Sequence, residues 1–229
     1  MRFINNFSVV LLDLNGTFMF GHDRFGPTED YFVTYHAAGG RNLDRDSVLK
    51  IVNASHAGLS QAYSAPERVD DFPTVGEALR EYGAADEQEI PILERVFAAH
   101  EIGRIPPDHE KFLRDTAKSH KLGIVSNIWS GPDTWLTYLR DSDLYTIFKT
   151  IVFSSEGRSI KPSRRLFEQA LAAFQADSAV LFVGDNLKRD IIPAKALGMS
   201  TAWIAPPGSA DSAADVVIDS LPKLADVAS

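Results

Sequence analysis

A continuous apolar segment near the start of the chain, FSVVLLDL at positions 7–14, restricts the fold more than any other feature. It is rich in β-branched and long apolar residues and has no polar face, which is typical of a strand buried on both sides. Similar short runs follow at 122–126, 150–153, 179–183 and 201–204, and they alternate with helical patterns at 108–119, 163–175 and 189–197. This alternation predicts an α/β fold, a doubly wound parallel sheet with right-handed crossovers.

The stretch from about residue 28 to 103 interrupts that alternation. It contains amphipathic helical patterns without a convincing buried strand. One of its helices begins at Thr74, where Glu77 stands three positions later in the spacing of a capping box. We therefore expect a core built from residues 1–18 and 104–229, with a helical insertion over residues 19–103.

Charge and composition exclude several classes of function. The chain has 23 Lys and Arg against 31 Asp and Glu, a net charge of −8, and no basic run. This balance argues against nucleic acid and membrane surfaces as partners. The 229 residues include no cysteine, which excludes disulfides and thiolate chemistry, and the first apolar run is too short for a secretory leader, so we expect a cytoplasmic protein. No feature of the sequence favours a particular oligomeric state.

Polar side chains follow the predicted strands at the point where each strand ends. They are Asp13, Ser126 and Asp185; Lys161 lies further on, in the loop beyond Phe153, and Asp190 lies five residues after Asp185. In a parallel sheet the carboxyl ends of the strands meet at one edge, so these groups are expected to converge. Three carboxylates, a lysine and a hydroxyl suit a site that holds a hard cation and an anion together.

The order of these groups resembles the four motifs of the haloacid dehalogenase superfamily. The segments that carry the resemblance are Asp13-Leu14-Asn15-Gly16-Thr17, Ser126-Asn127, Lys161-Pro162 and the run from Gly184 to Asp190. The resemblance implies a Rossmann-like core. It also implies that the insertion between the first two motifs is a helical cap, a class in which the cap closes over the active site and favours a small-molecule substrate.

The resemblance further implies a role for each motif residue. Asp13 is expected to be the nucleophile that forms an aspartyl-phosphate, and to bind Mg²⁺. The main-chain carbonyl of Asn15, together with Asp185 and Asp190, is expected to complete the metal site.

The other two motifs are expected to act on the phosphate. Ser126 and neighbouring groups, including Asn127, are expected to hold a phosphate oxygen. Lys161 is expected to neutralise the crowded carboxylates and the charge that develops during the reaction. A small phosphorylated molecule is the expected substrate.

One residue departs from the family pattern. Phosphatases of this family have Asp two positions after the nucleophile, where it acts as acid and base, and this chain has Asn15. Loss of such a group typically costs about 10²–10⁴-fold in rate. A substrate with a good leaving group, such as an acyl phosphate, needs less help, and His22 or Asp23 is an alternative proton donor. Asn15-Gly16 also favours deamidation, which would restore the aspartate, and an engineered substitution is a further explanation.

Three functions remain in competition. The leading hypothesis is a Mg²⁺-dependent hydrolase of a small phosphate ester or acyl phosphate that works through Asp13. A carbon–halogen hydrolase is an alternative, because dehalogenases of this family also lack Asp at the second position. They need no metal, however, and typically lack the Gly184-Asp185 pair seen here. The third hypothesis is a catalytically weak protein that binds a phosphorylated metabolite.

Overall fold

A computed structural model, which describes residues 2–228, contains one six-stranded parallel sheet in the order β3-β2-β1-β4-β5-β6. The predicted parallel α/β fold is therefore confirmed. The strands are β1 (Val9–Leu12), β2 (Lys121–Ser126), β3 (Phe148–Phe153), β4 (Val180–Gly184), β5 (Ser200–Ile204) and β6 (Val216–Ile218).

Both faces of the sheet are covered, as the apolar sequence of β1 requires. Val10 and Leu12 of this strand belong to one hydrophobic cluster, and Val9 and Leu11 belong to another. Because successive side chains of a strand point to opposite faces, a fully apolar strand needs a helical layer on each side. The first layer contains α5 (Pro107–Ala117) and α6 (Asp133–Asp141), and the second contains α7 (Arg164–Leu171) and α8 (Ile192–Ala196).

The strand order reverses at β1, which pairs with β2 on one side and with β4 on the other. In a doubly wound sheet a crevice opens at this point, beyond the carboxyl ends of the strands. Asp13 follows directly after β1, so the topology places it at the base of that crevice.

Four α-helices lie between β1 and α5: α1 (Tyr31–Ala37), α2 (Arg45–Ser64), α3 (Val75–Glu81) and α4 (Ile90–Glu101). These helices share a hydrophobic cluster of their own. From the rest of the chain, Ile160 and the partly buried Trp129 pack into it. The capping box that starts α3 is present, since Thr74 Oγ1 accepts from the Glu77 N–H at 3.1 Å and Glu77 Oε2 accepts from the Thr74 N–H at 2.8 Å. The helical character of this segment agrees with the sequence pattern.

The segment predicted as one helix over 189–197 is built differently. A π-helical turn spans Leu187–Ile191, and α8 begins only at Ile192. Pro193 has no N–H to bond the carbonyl four residues earlier, so a regular α-helix cannot run through this position. The wider turn contains Asp190, whose N–H donates to the Asn186 carbonyl at 2.8 Å.

Within residues 2–228, no helix is long and apolar enough to cross a membrane.

Candidate active site

Asp13 is the centre of the candidate site. Its side chain is buried, and its N–H donates to the Val183 carbonyl of the neighbouring strand at 2.9 Å. Oδ1 accepts two hydrogen bonds, from Ser126 Oγ at 2.9 Å and from Lys161 Nζ at 2.6 Å. Oδ2 has only a long contact with Thr17 Oγ1 at 3.4 Å. One oxygen is thus held firmly while the other is nearly free to react or to bind a cation.

Lys161 connects two of the site's carboxylates. Only 3% of the residue is exposed, and Nζ lies 2.6 Å from Asp13 Oδ1 and 2.5 Å from Asp190 Oδ1. Burial disfavours the charged ammonium, but the two carboxylates outweigh that effect and raise the pKa of Lys161 above its usual range. The lysine therefore carries a permanent positive charge at the base of the crevice.

Asp13, Asp185 and Asp190 form the acidic cluster that the strand ends predicted. Each offers an oxygen within 4.8 Å of the others. Burial is the main cause that raises the pKa of Asp185 to about 6, and the charge of Asp13 adds to it. Burial also raises the pKa of Asp190; the charge and hydrogen bond of Lys161 counteract this increase, and the charges of Asp13 and Asp185 add to it. Three crowded carboxylates beside one lysine leave excess negative charge, and this oxygen donor set fits a hard divalent cation such as Mg²⁺.

The loop after β1 approaches the end of β4 very closely. Gly16 has φ +78°, and a Cβ added there would lie 2.8 Å from Cγ of Asp185. On the other side, Asp190 Oδ2 accepts from the Asn186 N–H at 3.0 Å. The loop after β1 therefore leaves no space for a side chain beside Asp185, and a main-chain N–H holds Asp190.

Asn127 makes contacts that differ from those expected of a phosphate ligand. Its Oδ1 accepts from the Lys161 N–H at 2.8 Å, and its Nδ2 lies 3.0 Å from the Tyr63 hydroxyl and 3.4 Å from the Lys161 carbonyl. The side chain thus fixes the backbone of the catalytic lysine candidate. That Asn127 also binds phosphate stays a prediction.

A cavity of about 180 Å³ opens above these groups. It contains six of the seven predicted site residues; Ser126 lies just behind, in contact with Asp13. The Oδ1 of Asn15 is buried there, and no atom of residues 2–228 forms a hydrogen bond with it. The cavity is lined by Asp13, Asn15, His22, Asp23, Tyr63, Glu101, Asn127, Trp129, Lys161, Asp185, Asn186, Arg189 and Asp190.

Several of these lining residues could not be singled out from the sequence. Tyr63 belongs to the regular pattern of α2, and Arg189 stands among other charged residues. In the structure, the guanidinium of Arg189 lies 3.6 Å from the centre of the Tyr63 ring and donates to the carbonyls of Tyr63 and Lys161. These contacts fasten the end of α2 to the loops that carry Lys161 and Asp190.

The position of Glu101 at the end of α4 is a sequence feature that could have pointed to its role. A carboxylate at the C-terminal end of a helix is unfavourable unless other groups compensate for the helix dipole. Glu101 is buried and accepts from the Trp129 N–H at 2.6 Å, the Ser130 N–H at 2.8 Å and Ser130 Oγ at 2.5 Å. It joins the end of α4 to the loop that follows β2.

The family model for haloacid dehalogenase-like hydrolases matches residues 43–204. The chain belongs to this family. The matched range includes Ser126, Lys161, Asp185 and Asp190, while Asp13 precedes it. The haloacid dehalogenase-like assignment therefore agrees with the motif order read from the sequence.

Relatives within this family include two curated phosphatases. A phosphoserine phosphatase of Thermus thermophilus is 31% identical over 129 residues, which is 56% of this chain and 51% of the relative. A glyceraldehyde 3-phosphate phosphatase of Pyrococcus abyssi is 31% identical over 100 residues, which is 43% of this chain and 41% of the relative. The chain thus aligns with about half the length of the curated relatives.

Solved structures of the family share the fold over almost the whole chain. A phosphatase from Thermococcus onnurineus is 25% identical, with a TM-score of 0.58 and 95% of each chain covered. A 2-haloacid dehalogenase from Pseudomonas syringae is 22% identical, with a TM-score of 0.59 over 96% of this chain and 97% of that one.

Proposed function

We propose that the protein is a Mg²⁺-dependent hydrolase of small phosphate esters or acyl phosphates, which works through an aspartyl-phosphate on Asp13. The observation that carries the proposal is the state of Asp13: Oδ1 is fixed by Ser126 and Lys161, while Oδ2 has only the 3.4 Å contact with Thr17. A nucleophile needs this combination of fixed orientation and a free oxygen.

In the first step, an oxygen of Asp13 attacks phosphorus, and the bond between phosphorus and the leaving oxygen breaks. The leaving oxygen collects a proton. In the second step, water attacks the aspartyl-phosphate, which releases inorganic phosphate and regenerates the carboxylate. Lys161 supports both steps because its charge, held between Asp13 and Asp190, stabilises the negative charge that develops at phosphorus.

Mg²⁺ would be held by Asp13, Asp185, the main-chain carbonyl of Asn15 and Asp190, the last directly or through water. The 4.8 Å grouping of the three carboxylates supports this assignment. When bound, the cation supplies a Lewis acid that neutralises the carboxylates and the substrate's phosphate.

Asn15 explains why we include acyl phosphates among the substrates. An amide neither protonates a leaving oxygen nor deprotonates water, so the chain needs a weakly basic leaving group, or a proton from His22, Asp23 or water. His22 and Asp23 both border the cavity with Asn15.

We further propose that residues 19–103 act as a cap. In support, α1–α4 have a hydrophobic cluster separate from those of the sheet, and Tyr63 and Glu101 from this segment form part of the cavity wall. A cavity of about 180 Å³ suits a small substrate and leaves no room for a folded phosphoprotein.

The test is phosphate release from acetyl phosphate and p-nitrophenyl phosphate, with Mg²⁺ and with EDTA. We expect metal-dependent release that Asp13→Asn abolishes. Intact-mass measurement before and after the assay checks that Asn15 has not deamidated. Halide release from 2-chloropropionate in EDTA, without phosphate release from acetyl phosphate or p-nitrophenyl phosphate, would instead establish the carbon–halogen hydrolase. If neither reaction occurs, the result favours the third hypothesis, a catalytically weak protein that binds a phosphorylated metabolite.

A further inference from the structure

The polar groups on the cavity wall are mostly occupied by other parts of the protein. Lys161 is engaged by Asp13 and Asp190, and the two terminal nitrogens of Arg189 donate to main-chain carbonyls. Glu101 accepts three hydrogen bonds from the loop after β2. Lys161, Arg189 and Glu101 are therefore already engaged in contacts within the protein.

Asp23 is the carboxylate on this wall that stays available. Its side chain is 58% exposed, and Nε2 of His22 lies 3.7 Å from its Oδ2, beyond hydrogen-bond distance. Burial by the surrounding wall raises the pKa of Asp23, and His22 and His56 counteract this. Asp23 borders the same cavity as Asp13, Asp185 and Asp190 but is not a member of their acidic cluster.

The backbone holds Asp23 in a fixed position. Its φ is +54°, a conformation that only a few non-glycine residue types adopt readily. The Asp23 N–H donates to the Glu101 carbonyl at 3.1 Å, and the next N–H, of Arg24, donates to the His100 carbonyl at 2.8 Å. The Arg24 guanidinium donates to the carbonyls of Gly21, Ala99 and Ile102. These contacts fasten the segment that carries Asp23 to the end of α4.

A second acceptor in the cavity also lacks a donor. The Oδ1 of Asn15 is buried and has no hydrogen-bond partner among the described residues. Buried polar atoms in proteins are nearly always paired, so an unpaired acceptor in a cavity indicates a ligand that donates. Asp23 and Asn15 thus independently favour a substrate with donor groups, since Lys161 and Arg189 on this wall are already engaged by other parts of the protein.

We propose that Asp23 selects the organic part of the substrate, favouring phosphomonoesters that carry an ammonium group over those that carry a carboxylate. This inference rests on the proposed phosphatase function and adds a substrate class to it. An ammonium donates to the Asp23 carboxylate and gains from its charge. A substrate carboxylate is repelled by Asp23 and, at neutral pH and above, by Glu101.

The experiment compares kcat/KM for three small phosphate esters in the presence of Mg²⁺. The organic part carries an ammonium in phosphoethanolamine, no charged group in ethyl phosphate and a carboxylate in phosphoglycolate. Asp23→Asn removes the charge and keeps the backbone, because Asn tolerates positive φ. The matched control is Asp177→Asn, the same change at an exposed residue before β4, at the opposite edge of the sheet. If wild-type rates are too low, the series is repeated in an Asn15→Asp background.

We expect wild type to prefer phosphoethanolamine over ethyl phosphate, and ethyl phosphate over phosphoglycolate. Asp23→Asn should reduce the ratio of phosphoethanolamine to phosphoglycolate by about tenfold, the effect of one charge pair in a partly solvated cavity, and Asp177→Asn should leave it unchanged. If Asp23→Asn lowers kcat/KM equally for all three esters, the proposal is overturned and Asp23 acts in proton transfer or folding instead. An unchanged ratio would also overturn it. Failure to hydrolyse any ester in either background would reject the phosphatase function, and this proposal with it.

Discussion

Gly16 and Asp185 are 169 positions apart in the chain, and their approach leaves no space for a Cβ between them. A methyl group on Gly16 would lie 2.8 Å from Cγ of Asp185 and would clash with its Oδ2. The loop after β1 can therefore approach the fourth motif this closely only because residue 16 is a glycine. Asp185 belongs to the acidic cluster with Asp13 and Asp190.

Replacing Gly16 by alanine should damage the metal site more than the fold. Gly16 and Gly21 both have positive φ, of +78° and +68°, but nothing lies within 4 Å of a Cβ on Gly21. Each alanine variant should lose about 1–2 kcal/mol of folding free energy from backbone strain. Only Gly16→Ala displaces Asp185, so Mg²⁺ affinity by calorimetry should fall at least about tenfold in this variant and stay within about twofold in Gly21→Ala. Equal affinities in the two variants would contradict this role of the contact.

Asn15→Asp should raise the turnover of a phosphate ester. It restores an acid and base beside the nucleophile, a group worth about 10²–10⁴-fold in typical enzymes. The gain should be larger for ethyl phosphate than for p-nitrophenyl phosphate, since the better leaving group needs less protonation. Steady-state rates of wild type and the variant on both esters provide the measurement. Equal rates for the two proteins would mean that another group, such as His22 or Asp23, already transfers the proton.

The sheet and the site residues on its strand ends could be predicted because they depend on local and topological rules. A fully apolar strand must be covered on both faces, and parallel strands place their last residues at one edge. Asp13, Lys161, Asp185 and Asp190 followed from these rules, and the structure brings all four together.

The contacts between the helical insertion and the core could not be predicted in the same way. They depend on how α2 and α4 are oriented over the sheet, which no local pattern encodes. Tyr63 meets Arg189, and Glu101 meets Ser130, only because of that packing. The π-helical turn also escaped prediction, because a short pattern with the right apolar spacing does not distinguish it from an α-helix.

Arg189→Lys should loosen the insertion from the core. Lysine cannot reproduce the planar fork that bonds the Tyr63 and Lys161 carbonyls while lying on the Tyr63 ring. We expect a loss of about 1–3 kcal/mol in folding free energy and faster amide exchange at the end of α2, together with a higher KM. The matched control is Arg164→Lys, an exposed arginine at the start of α7 that contacts Glu168. Unaltered exchange in α2 with Arg189→Lys would show that the insertion is held by other contacts.

Glu101 should make the stability of the metal-free protein depend on pH. Burial raises its pKa from 4.5 to about 7, against the hydrogen bonds from Ser130 and Trp129. The folded state therefore binds more protons than the unfolded chain between these two values, and the free energy of unfolding falls as pH rises through this range. The difference between the unfolded and folded pKa values of Glu101 corresponds to a change of about 3 kcal/mol in the free energy of unfolding.

Glu101→Gln removes this titration and keeps the side chain's size. We expect denaturant unfolding in EDTA, measured at intervals from pH 4.5 to 7.5, to show a smaller decline with rising pH in the variant than in wild type. Subtracting the two curves cancels the contributions of Asp185, Asp190 and the histidines, which both proteins share. A difference that stays constant across this range would mean that Glu101 does not change its protonation there, and that its three hydrogen bonds keep it ionised despite burial.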